Sequence, residues 1–121
     1  MPVRSLSSSV LRWPDLATVE EALHRWVRKI LRGRDDVVQI GYFGSYARGD
    51  WGVGSDLDLV IVVEGSEEPF ERRSAQWDAT ELPVPADVLV YSAAEWRSLR
   101  PEGRFYQTLM RETNWLYRRG M

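Results

Sequence analysis

The sequence predicts an α/β protein of the α+β kind, in which a small mixed β-sheet is flanked by helices on one face. Three short runs rich in β-branched and aromatic residues predict the strands, at Val37–Phe43, Leu57–Val63 and Ala86–Ser92. Stretches with apolar residues at helical spacing lie before, between and after these runs. With 121 residues, 44% of them hydrophobic, the chain has the size of one domain with a substantial core.

The composition limits the kinds of metal site and binding partner that the chain can have. The sequence contains no cysteine, which excludes disulfides, thiol nucleophiles and thiolate metal sites, so oxygen ligands must hold any metal. The net charge of −2 gives no overall basic field, and we expect no direct binding to nucleic acid. No apolar run is long enough to span a membrane and no signal-peptide core is present, so we expect a cytoplasmic protein.

The first helix is predicted to begin at Thr18, where Thr18 to Glu21 has the pattern of a capping box, and to end at Gly33. Residues 1–17 are then an N-terminal extension and residues 18–121 a single domain. The only histidine, His24, lies at the edge of the apolar stripe of this helix, and we interpret it as a surface residue rather than a general base.

The stretch GYFGSYARGDWGVGSDLDLVIVV, from Gly41 to Val63, carries most of the functional information. The first strand breaks at Gly44 and Ser45, and a short helix is expected to follow. The backbone N–H groups of Ser45 and Tyr46 then lie at a helix N-terminus, which suits them to hold phosphate oxygens. Gly44 allows the backbone to approach that ligand closely.

The second strand begins with two aspartates. Asp56 and Asp58 are at positions i and i+2, so their side chains share one face of the strand about 7 Å apart, and Leu57 and Leu59 turn to the core on the other face. Two neighbouring carboxylates repel one another unless a cation lies between them. Beside a phosphate-binding turn, the simplest explanation is Mg²⁺.

GSYARG followed by SDLDLVIVV closely resembles the signature of the DNA polymerase beta-like nucleotidyltransferase superfamily, and within it the minimal nucleotidyltransferases. The resemblance implies a polymerase-beta-like nucleotidyltransferase fold from about Thr18 onward and ATP as the substrate. It also implies a third carboxylate from the neighbouring strand, and Asp87 stands in the matching place. The alternative for Asp87 is an aspartate that caps a turn at the start of its strand.

In that resemblance, Asp56, Asp58 and Asp87 hold two Mg²⁺ ions about 3.5 to 4 Å apart. Asp56 and Asp58 bridge both ions, and Asp87 binds the ion near the acceptor hydroxyl and accepts its proton. Gly44 and Ser45 bind a terminal phosphate of the nucleotide. Arg48 has two open roles: it reaches the triphosphate, or it pairs with Asp50 or a strand carboxylate.

The segments on either side of the second strand are predicted to be a loop, a helix and the third strand. In the loop Asp50–Gly54, Trp51 either stacks on a base or covers the site, and we favour the cover. Phe70–Glu81 is predicted to be a short amphipathic helix. The third strand has apolar residues on both faces, which predicts burial on both sides, next to the second strand.

The C-terminal part is predicted as two helices and a strand. Ser92 to Glu95 is a capping box that opens a helix through Leu99. A further helix follows at Arg104–Glu112, and Trp115–Tyr117 is predicted to be an edge strand.

The resemblance also suggests a partner. Minimal nucleotidyltransferases are typically encoded with a HEPN-domain protein, and in such pairs they act as antitoxins that add AMP to a tyrosine of the toxin. Two alternatives remain open: a module that neutralises a partner by contact alone, and a subunit of an antibiotic-modifying nucleotidyltransferase.

The aromatic content predicts an association surface. Trp13, Trp51, Trp96 and Trp115 fall at loops or element ends, so we expect part of an exposed apolar patch there, and with it a homo-oligomer or a complex with a HEPN-type partner. The alternative is that these rings pack on one another and on arginine stems.

Overall fold

A four-stranded mixed sheet is the centre of the computed structural model, which describes residues 13–120. The strands are β1 Val37–Phe43, β2 Leu57–Val63, β3 Ala86–Ser92 and β4 Asn114–Arg118. The α-helices found among these residues are α1 Leu16–Gly33, α2 Ser45–Arg48, α3 Phe70–Arg73, α4 Ala93–Arg97 and α5 Arg104–Glu112, and a 3₁₀ turn follows α3 at Ser74–Gln76. The predicted α/β class and mixed sheet are confirmed.

The strands lie in the order β3-β2-β1-β4. β1 is antiparallel to both β2 and β4, whereas β2 and β3 are parallel. The predicted strands at 37–43, 57–63 and 86–92 are confirmed, and the edge strand predicted at Trp115–Tyr117 is confirmed with one further residue at each end. None of the described helices is long and apolar enough to cross a membrane.

The main core lies between α1 and one face of the sheet. Leu23 and Trp26 of α1 join Ile40, Leu59 and Ile61 of the central strands in this cluster. Val60 and Val62 point to the opposite face, because side chains alternate along a strand, and they are equally buried. The prediction of helices on one face only is therefore wrong. A central strand that is apolar on both faces requires cover on both.

Gly41 fixes how closely the last strand can approach. A Cβ atom at this position would lie 2.6 Å from Thr113 Cγ2, 2.7 Å from Trp115 Cε3 and 2.9 Å from the Asn114 carbonyl oxygen. A backbone oxygen cannot move aside without moving its strand. The missing side chain thus allows β4 to pack directly on β1.

The first helix begins earlier than predicted, at Leu16. The Asp15 carboxylate accepts a hydrogen bond of 2.9 Å from the Thr18 N–H, so Asp15 is the N-cap and the predicted start at Thr18 is wrong. Trp13 packs against the core, and its indole N–H donates to the Tyr46 hydroxyl at 2.9 Å. Residues 1–12, most of the predicted extension, lie outside the described residues.

The predicted helix at Phe70–Glu81 is wrong in its length. Helix α3 ends at Arg73, and a single 3₁₀ turn follows. Beyond the turn, the Asp78 carboxylate accepts hydrogen bonds from the Thr80 N–H and hydroxyl, at 3.0 and 2.5 Å, and such local bonds compete with helix formation. Trp77, between the two, is buried in the core.

Helix α4 starts with the predicted capping box. The Ser92 hydroxyl accepts from the Glu95 N–H at 3.1 Å, and the Glu95 carboxylate accepts from the Ser92 N–H at 2.8 Å. The helix ends at Arg97 rather than Leu99. The helix at 104–112 begins and ends as predicted.

A buried arginine joins α3, β3 and α4. Arg73, 6% exposed, forms a two-pronged ion pair with Glu95 at 2.5 and 3.0 Å. Its remaining donors bind the carbonyl oxygens of Glu68 and Val90, at 2.8 and 3.1 Å. This pairing, with the Ser92 N–H, lowers the pKa of Glu95 to about 2.

β3 lies at an edge of the sheet, beside β2 as predicted, but it is not buried on both sides. Only Val90 is fully buried among its residues, and Asp87 is exposed. The prediction of two buried faces is wrong, because the outer side of an edge strand has no neighbouring strand to cover it.

The tryptophans do not form the expected exposed patch. Trp96 packs between Tyr91 and Trp115, with ring centroids 5.6 and 5.7 Å away, and the Arg118 guanidinium lies 5.1 Å above the Trp115 ring. Trp13 packs against the core. The expectation of exposed tryptophans is wrong, and the packing of rings on one another and on arginine is confirmed.

Candidate active site

The site lies where β1 ends and where β2 and β3 begin. Phe43 of β1 is the register partner of Asp58 of β2, and Asp58 is the partner of Asp87 of β3. Register partners in neighbouring strands turn their side chains to the same face. One row across three strands therefore carries an aromatic ring and two carboxylates. The sequence prediction that Asp58 and Asp87 come together across adjacent strands is confirmed.

The turn at Gly44 touches this row. Gly44 has φ +79° and ψ −152°, a combination essentially restricted to glycine. A Cβ atom built on it would lie 2.2 Å from Asp58 Oδ2. Glycine is thus required here for two reasons: the backbone conformation, and the space that the Asp58 carboxylate occupies against the turn.

Helix α2 follows the turn and is a single turn long. The Arg48 N–H donates to the Gly44 carbonyl at 2.9 Å, and the Gly49 N–H donates to the Ser45 carbonyl at 2.9 Å. No side chain caps the N-terminus of this helix. The N–H groups of its first turn have no acceptor within the helix, so they remain suited to an anionic ligand.

Tyr46 supports α2 from the core side. Its ring is 1% exposed and stacks on Trp51 at 5.4 Å, with 8° between the planes. Trp51 packs against the core and does not line the depressions beside Asp58. We therefore interpret Trp51 as a support of α2, not as a cover over the site.

Two depressions meet at Phe43 and Asp58. The smaller, about 390 Å³, is polar and lined by Gly44, Ser45, Arg48, Ser55, Asp56, Asp58, Thr108 and Glu112. The larger, about 1030 Å³, includes Asp87 and has apolar walls. Asp58 thus faces a polar compartment suited to phosphates on one side and a wide groove on the other.

The surroundings of Asp58 disfavour the charged form of its carboxyl group. Burial raises the pKa of its carboxyl above the ordinary value, and the negative charges of Asp87 and Asp56 raise it further, in that order. Arg48 acts in the opposite direction. A carboxylate under these influences gains more than an isolated one from a bound cation.

The described residues include no group of three or more acidic or histidine side chains placed to hold a metal ion. The predicted convergence of Asp56, Asp58 and Asp87 on one ion is therefore not seen, and Asp56 and Asp87 are exposed. Asp58 and Asp87 nevertheless form a pair of hard oxygen donors. Mg²⁺ is usually held by one or two carboxylates, with waters and substrate phosphates as the other ligands. The donor set fits such an open site.

Arg48 is paired in this structure, one of its two predicted roles. Its Nε donates to Asp50 at 3.0 Å and its Nη1 to Glu112 at 3.2 Å. These pairs raise the pKa of Arg48, with Asp50 the larger contributor.

Sequence reasoning missed the contribution of α5. Phe105, Thr108 and Glu112 all line the two depressions, at positions i, i+3 and i+7. This spacing places them on one face of the helix. The spacing is visible in the sequence, but nothing local to α5 indicates that this face meets Asp58.

The chain is similar to known proteins in sequence pattern and in fold. The model of the nucleotidyltransferase domain family matches residues 24–116. A candidate nucleotidyltransferase from Sulfolobus solfataricus superposes with a TM-score of 0.62 and 18% identity, over 86% of this chain and 84% of that one.

Two toxin–antitoxin structures also superpose. One, with AMP-PNP, has a TM-score of 0.57 and 23% identity, over 78% of this chain and 72% of that one. The other is a variant of MntA-HpeT with two aspartates replaced by glutamate, at a TM-score of 0.54 and 20% identity, over 78% and 71% of the two chains. No curated protein sequence matches this chain. The structural likenesses establish the fold.

Proposed function

Because this chain belongs to the nucleotidyltransferase domain family, we propose that it transfers AMP from ATP to a hydroxyl group on a partner protein. The observation that carries the proposal is Asp58, which rests against the Gly44 turn and has Asp87 beside it in register. A carboxylate pair beside a turn with free N–H groups suits the binding of a nucleoside triphosphate and a second substrate side by side.

The smaller depression is the proposed site of the triphosphate. Ser45, with its hydroxyl and N–H, would bind the terminal phosphate, and Gly44 lets the chain approach it. Arg48 lines the same depression and is exposed, so it can exchange its pairing with Asp50 for a phosphate oxygen. Asp56 and Asp58 would lie against the phosphates on the other side.

The transfer itself is a displacement at phosphorus. The acceptor oxygen forms a bond to the α-phosphorus, the bond from that phosphorus to the β-phosphate oxygen breaks, and pyrophosphate leaves. The hydroxyl proton passes to a carboxylate, and Asp87 is the proposed acceptor because it lies beside Asp58 on the groove side.

Asp58 and Asp87, the two carboxylates that lie side by side in register, are the residues that would hold Mg²⁺, with two ions as the proposed number. Bound there, Mg²⁺ supplies positive charge that offsets the negative charge of the phosphates and of the departing pyrophosphate. Without it, Asp58 would repel the nucleotide that it is placed to receive.

We further propose that the acceptor lies on a toxin of the HEPN class and that this protein is its antitoxin, acting in the cytoplasm, where ATP and Mg²⁺ are available. The toxin–antitoxin structures support this, since one holds AMP-PNP and the other carries changes at two aspartates. A homo-oligomer would be compatible with the same activity.

The test compares Asp58→Asn with Asp35→Asn in transfer of labelled AMP to the partner encoded beside this protein. Asp58→Asn keeps the volume and removes the charge, and we expect a loss of at least about 10²-fold, the usual size for an electrostatic group at a reacting centre. Asp35 is an exposed turn residue away from the site, so its variant should match the wild type.

The two other functional readings predict different results. If Asp58→Asn loses transfer and still protects cells from the toxin, the protein acts by contact alone. If the wild type labels a small aminoglycoside and not the partner, it is an antibiotic-modifying subunit. Undiminished transfer by Asp58→Asn would refute the catalytic site.

A further inference from the structure

Arg48 is held by two carboxylates that differ in their surroundings. Its Nε donates to Asp50 Oδ2 at 3.0 Å, and its Nη1 donates to Glu112 Oε1 at 3.2 Å. The side chain of Asp50 is 62% exposed, whereas that of Glu112 is only 13% exposed. The two ion pairs therefore differ in what it costs to break them, and this difference decides which of them a ligand can replace.

The pair with Asp50 is the one that breaks easily. An exposed carboxylate that loses its partner is hydrated by water, and exposed ion pairs contribute little to stability. Asp50 lies only two residues from Arg48 in the chain, so this pair connects α2 to no distant element. A ligand with the same charge can therefore take the place of the Asp50 carboxylate at little cost.

The pair with Glu112 is costly to break. The Glu112 carboxylate has little access to water, so the loss of Arg48 would leave a charge that is neither paired nor well hydrated. The two residues are 64 positions apart in the sequence, with Arg48 on α2 and Glu112 on α5. This pair therefore fixes the guanidinium of Arg48 relative to a second helix.

The guanidinium keeps one edge that a phosphate can occupy. The Nε and Nη2 groups of an arginine form a fork that matches two oxygens of one carboxylate or phosphate. Arg34 shows this arrangement, because its Nε and Nη2 donate to the two carboxylate oxygens of Asp36 at 3.0 and 2.9 Å. Arg48 uses only the Nε of its fork, and its Nη2 donates no hydrogen bond to any of residues 13–120. The fork of Arg48 is thus half filled.

Glu112 and Asp50 also lie differently with respect to the polar depression. Arg48 and Glu112 both line this depression of about 390 Å³, together with Ser45 at the start of α2, whereas Asp50 is not part of its lining. The pair with Glu112 therefore holds the guanidinium toward the depression, and the pair with Asp50 holds the Nε edge away from it. A phosphate in the depression would compete with Asp50 and not with Glu112.

We propose that Glu112 is a positioning residue for nucleotide binding, which keeps Arg48 beside the depression while a terminal phosphate displaces Asp50 from the Nε and Nη2 fork. Glu112 acts through Arg48 alone, and Asp50 occupies the place of the phosphate when no nucleotide is bound. The inference rests on the proposed function, because it concerns the same triphosphate site.

Glu112→Gln and Asp50→Asn test the inference as a pair. Each variant removes one negative charge beside Arg48 and keeps the volume of the side chain. Binding of α,β-methylene-ATP in the presence of Mg²⁺ is measured by calorimetric titration, because this analogue cannot release AMP. Glu102→Gln is the matched control, since Glu102 pairs with Arg100 at 3.0 Å, is 67% exposed and lines neither depression of the site.

The two variants should change the affinity in opposite directions. Glu112→Gln should weaken binding about tenfold, the effect of losing one hydrogen bond to a charged group. Asp50→Asn should tighten binding about two- to fivefold, because the phosphate no longer competes with an exposed ion pair. Glu102→Gln should bind as the wild type does. In an Arg48→Gln background, both shifts should disappear.

Three results would overturn the inference. Tighter binding in both variants would mean that the two carboxylates only repel the phosphates, and weaker binding in both would mean a purely structural role. Opposite shifts that persist in the Arg48→Gln background would show that Glu112 does not act through Arg48. Asp50 is exposed, so Asp50→Asn still tests the exchange if Glu112→Gln does not fold: unchanged affinity in Asp50→Asn would overturn it.

Failure of the proposed function gives a different set of results. If the wild type does not bind the analogue, the triphosphate site is refuted and the inference with it. If the wild type binds and none of the variants differs from it, only the role of Glu112 is refuted and the transferase stands. If the predicted shifts are found but the wild type transfers no AMP to the partner, the positioning role stands and the proposed function is refuted.

Discussion

Comparing Gly44→Ala with Gly49→Ala should separate the loss of stability caused by the backbone conformation from the loss of activity caused by a displaced Asp58. Gly44 lies at φ +79° and ψ −152°, a region that costs an L-residue about 1 to 3 kcal/mol. Gly49, at the other end of the same short helix, has φ +88° and ψ 8°, the left-handed region, where alanine costs about 1 to 2 kcal/mol. Both variants should therefore lower the free energy of unfolding by similar amounts.

The two positions differ in their surroundings. Apart from its two neighbours in the chain, no residue has a heavy atom within 4 Å of a Cβ placed on Gly49, whereas a Cβ placed on Gly44 lies 2.2 Å from Asp58 Oδ2. Real Cβ atoms essentially never lie closer than 3.0 Å to another heavy atom, and ordinary contact begins at 3.4 Å, so the carboxylate must move by about 1 Å. Asp58 is a flexible side chain and can rotate away at little cost in stability. Displacement of a reacting group by that distance lowers the rate about 10²-fold.

The assay measures urea unfolding and AMP transfer for both variants. We expect similar losses of stability, a loss of transfer of about 10²-fold in Gly44→Ala, and near wild-type transfer in Gly49→Ala. Equal transfer by the two variants would refute the inference that the Gly44 turn positions Asp58. Recovery of transfer in Gly44→Ala at lower temperature would instead indicate that it was merely unfolded.

Three further predictions concern stability. Glu95→Gln should lower the free energy of unfolding at pH 7 by about 1 kcal/mol, a figure reduced from the full linkage value because the side chain is 42% exposed. Pairing with Arg73 lowers the pKa of Glu95 from 4.5 to about 2. The ion pair therefore stabilises the fold fully above pH 4.5, and this stabilisation is lost as the pH falls toward 2. Urea titrations of the wild type and the variant should converge over that pH range. Gly41→Ala should cost about 1 to 3 kcal/mol through overpacking, while Gly65→Ala, with open space around it, should not show this loss. Without Mg²⁺, Asp58→Asn should unfold a few degrees higher than the wild type, because it removes like-charge repulsion of about 0.2 to 1 kcal/mol, and a lower midpoint in calorimetry would contradict this.

The parts of the fold set by local pattern could be predicted from sequence. Runs such as Val37–Phe43 and Leu57–Val63 are strongly β-branched and end at glycine or charged residues, so type and bounds follow from short-range rules. The turn at Gly44 and the aspartate of the next strand form a joint pattern. That pattern indicates the site from residue types and spacing alone.

The features that could not be predicted depend on contacts between residues far apart in the sequence. Asp15 and Thr18 are both good N-caps, and the choice depends on which carboxylate or hydroxyl the tertiary fold turns toward the helix. The helix predicted from Phe70 stops because Trp77 is drawn into the core. Glu112 reaches Arg48 only because the last helix returns across the sheet.

The close packing of β4 on Gly41 has a consequence for the order in which the protein can fold during synthesis. β1, β2 and β3 are complete once residue 92 has been made, but the second edge of β1 stays open until Asn114–Arg118 has been added. Through that interval, a nascent chain presents an apolar strand with unpaired backbone groups. A chain that ends before Asn114 would leave this edge of β1 unpaired, so early termination in this region should yield aggregated protein rather than a shorter folded domain.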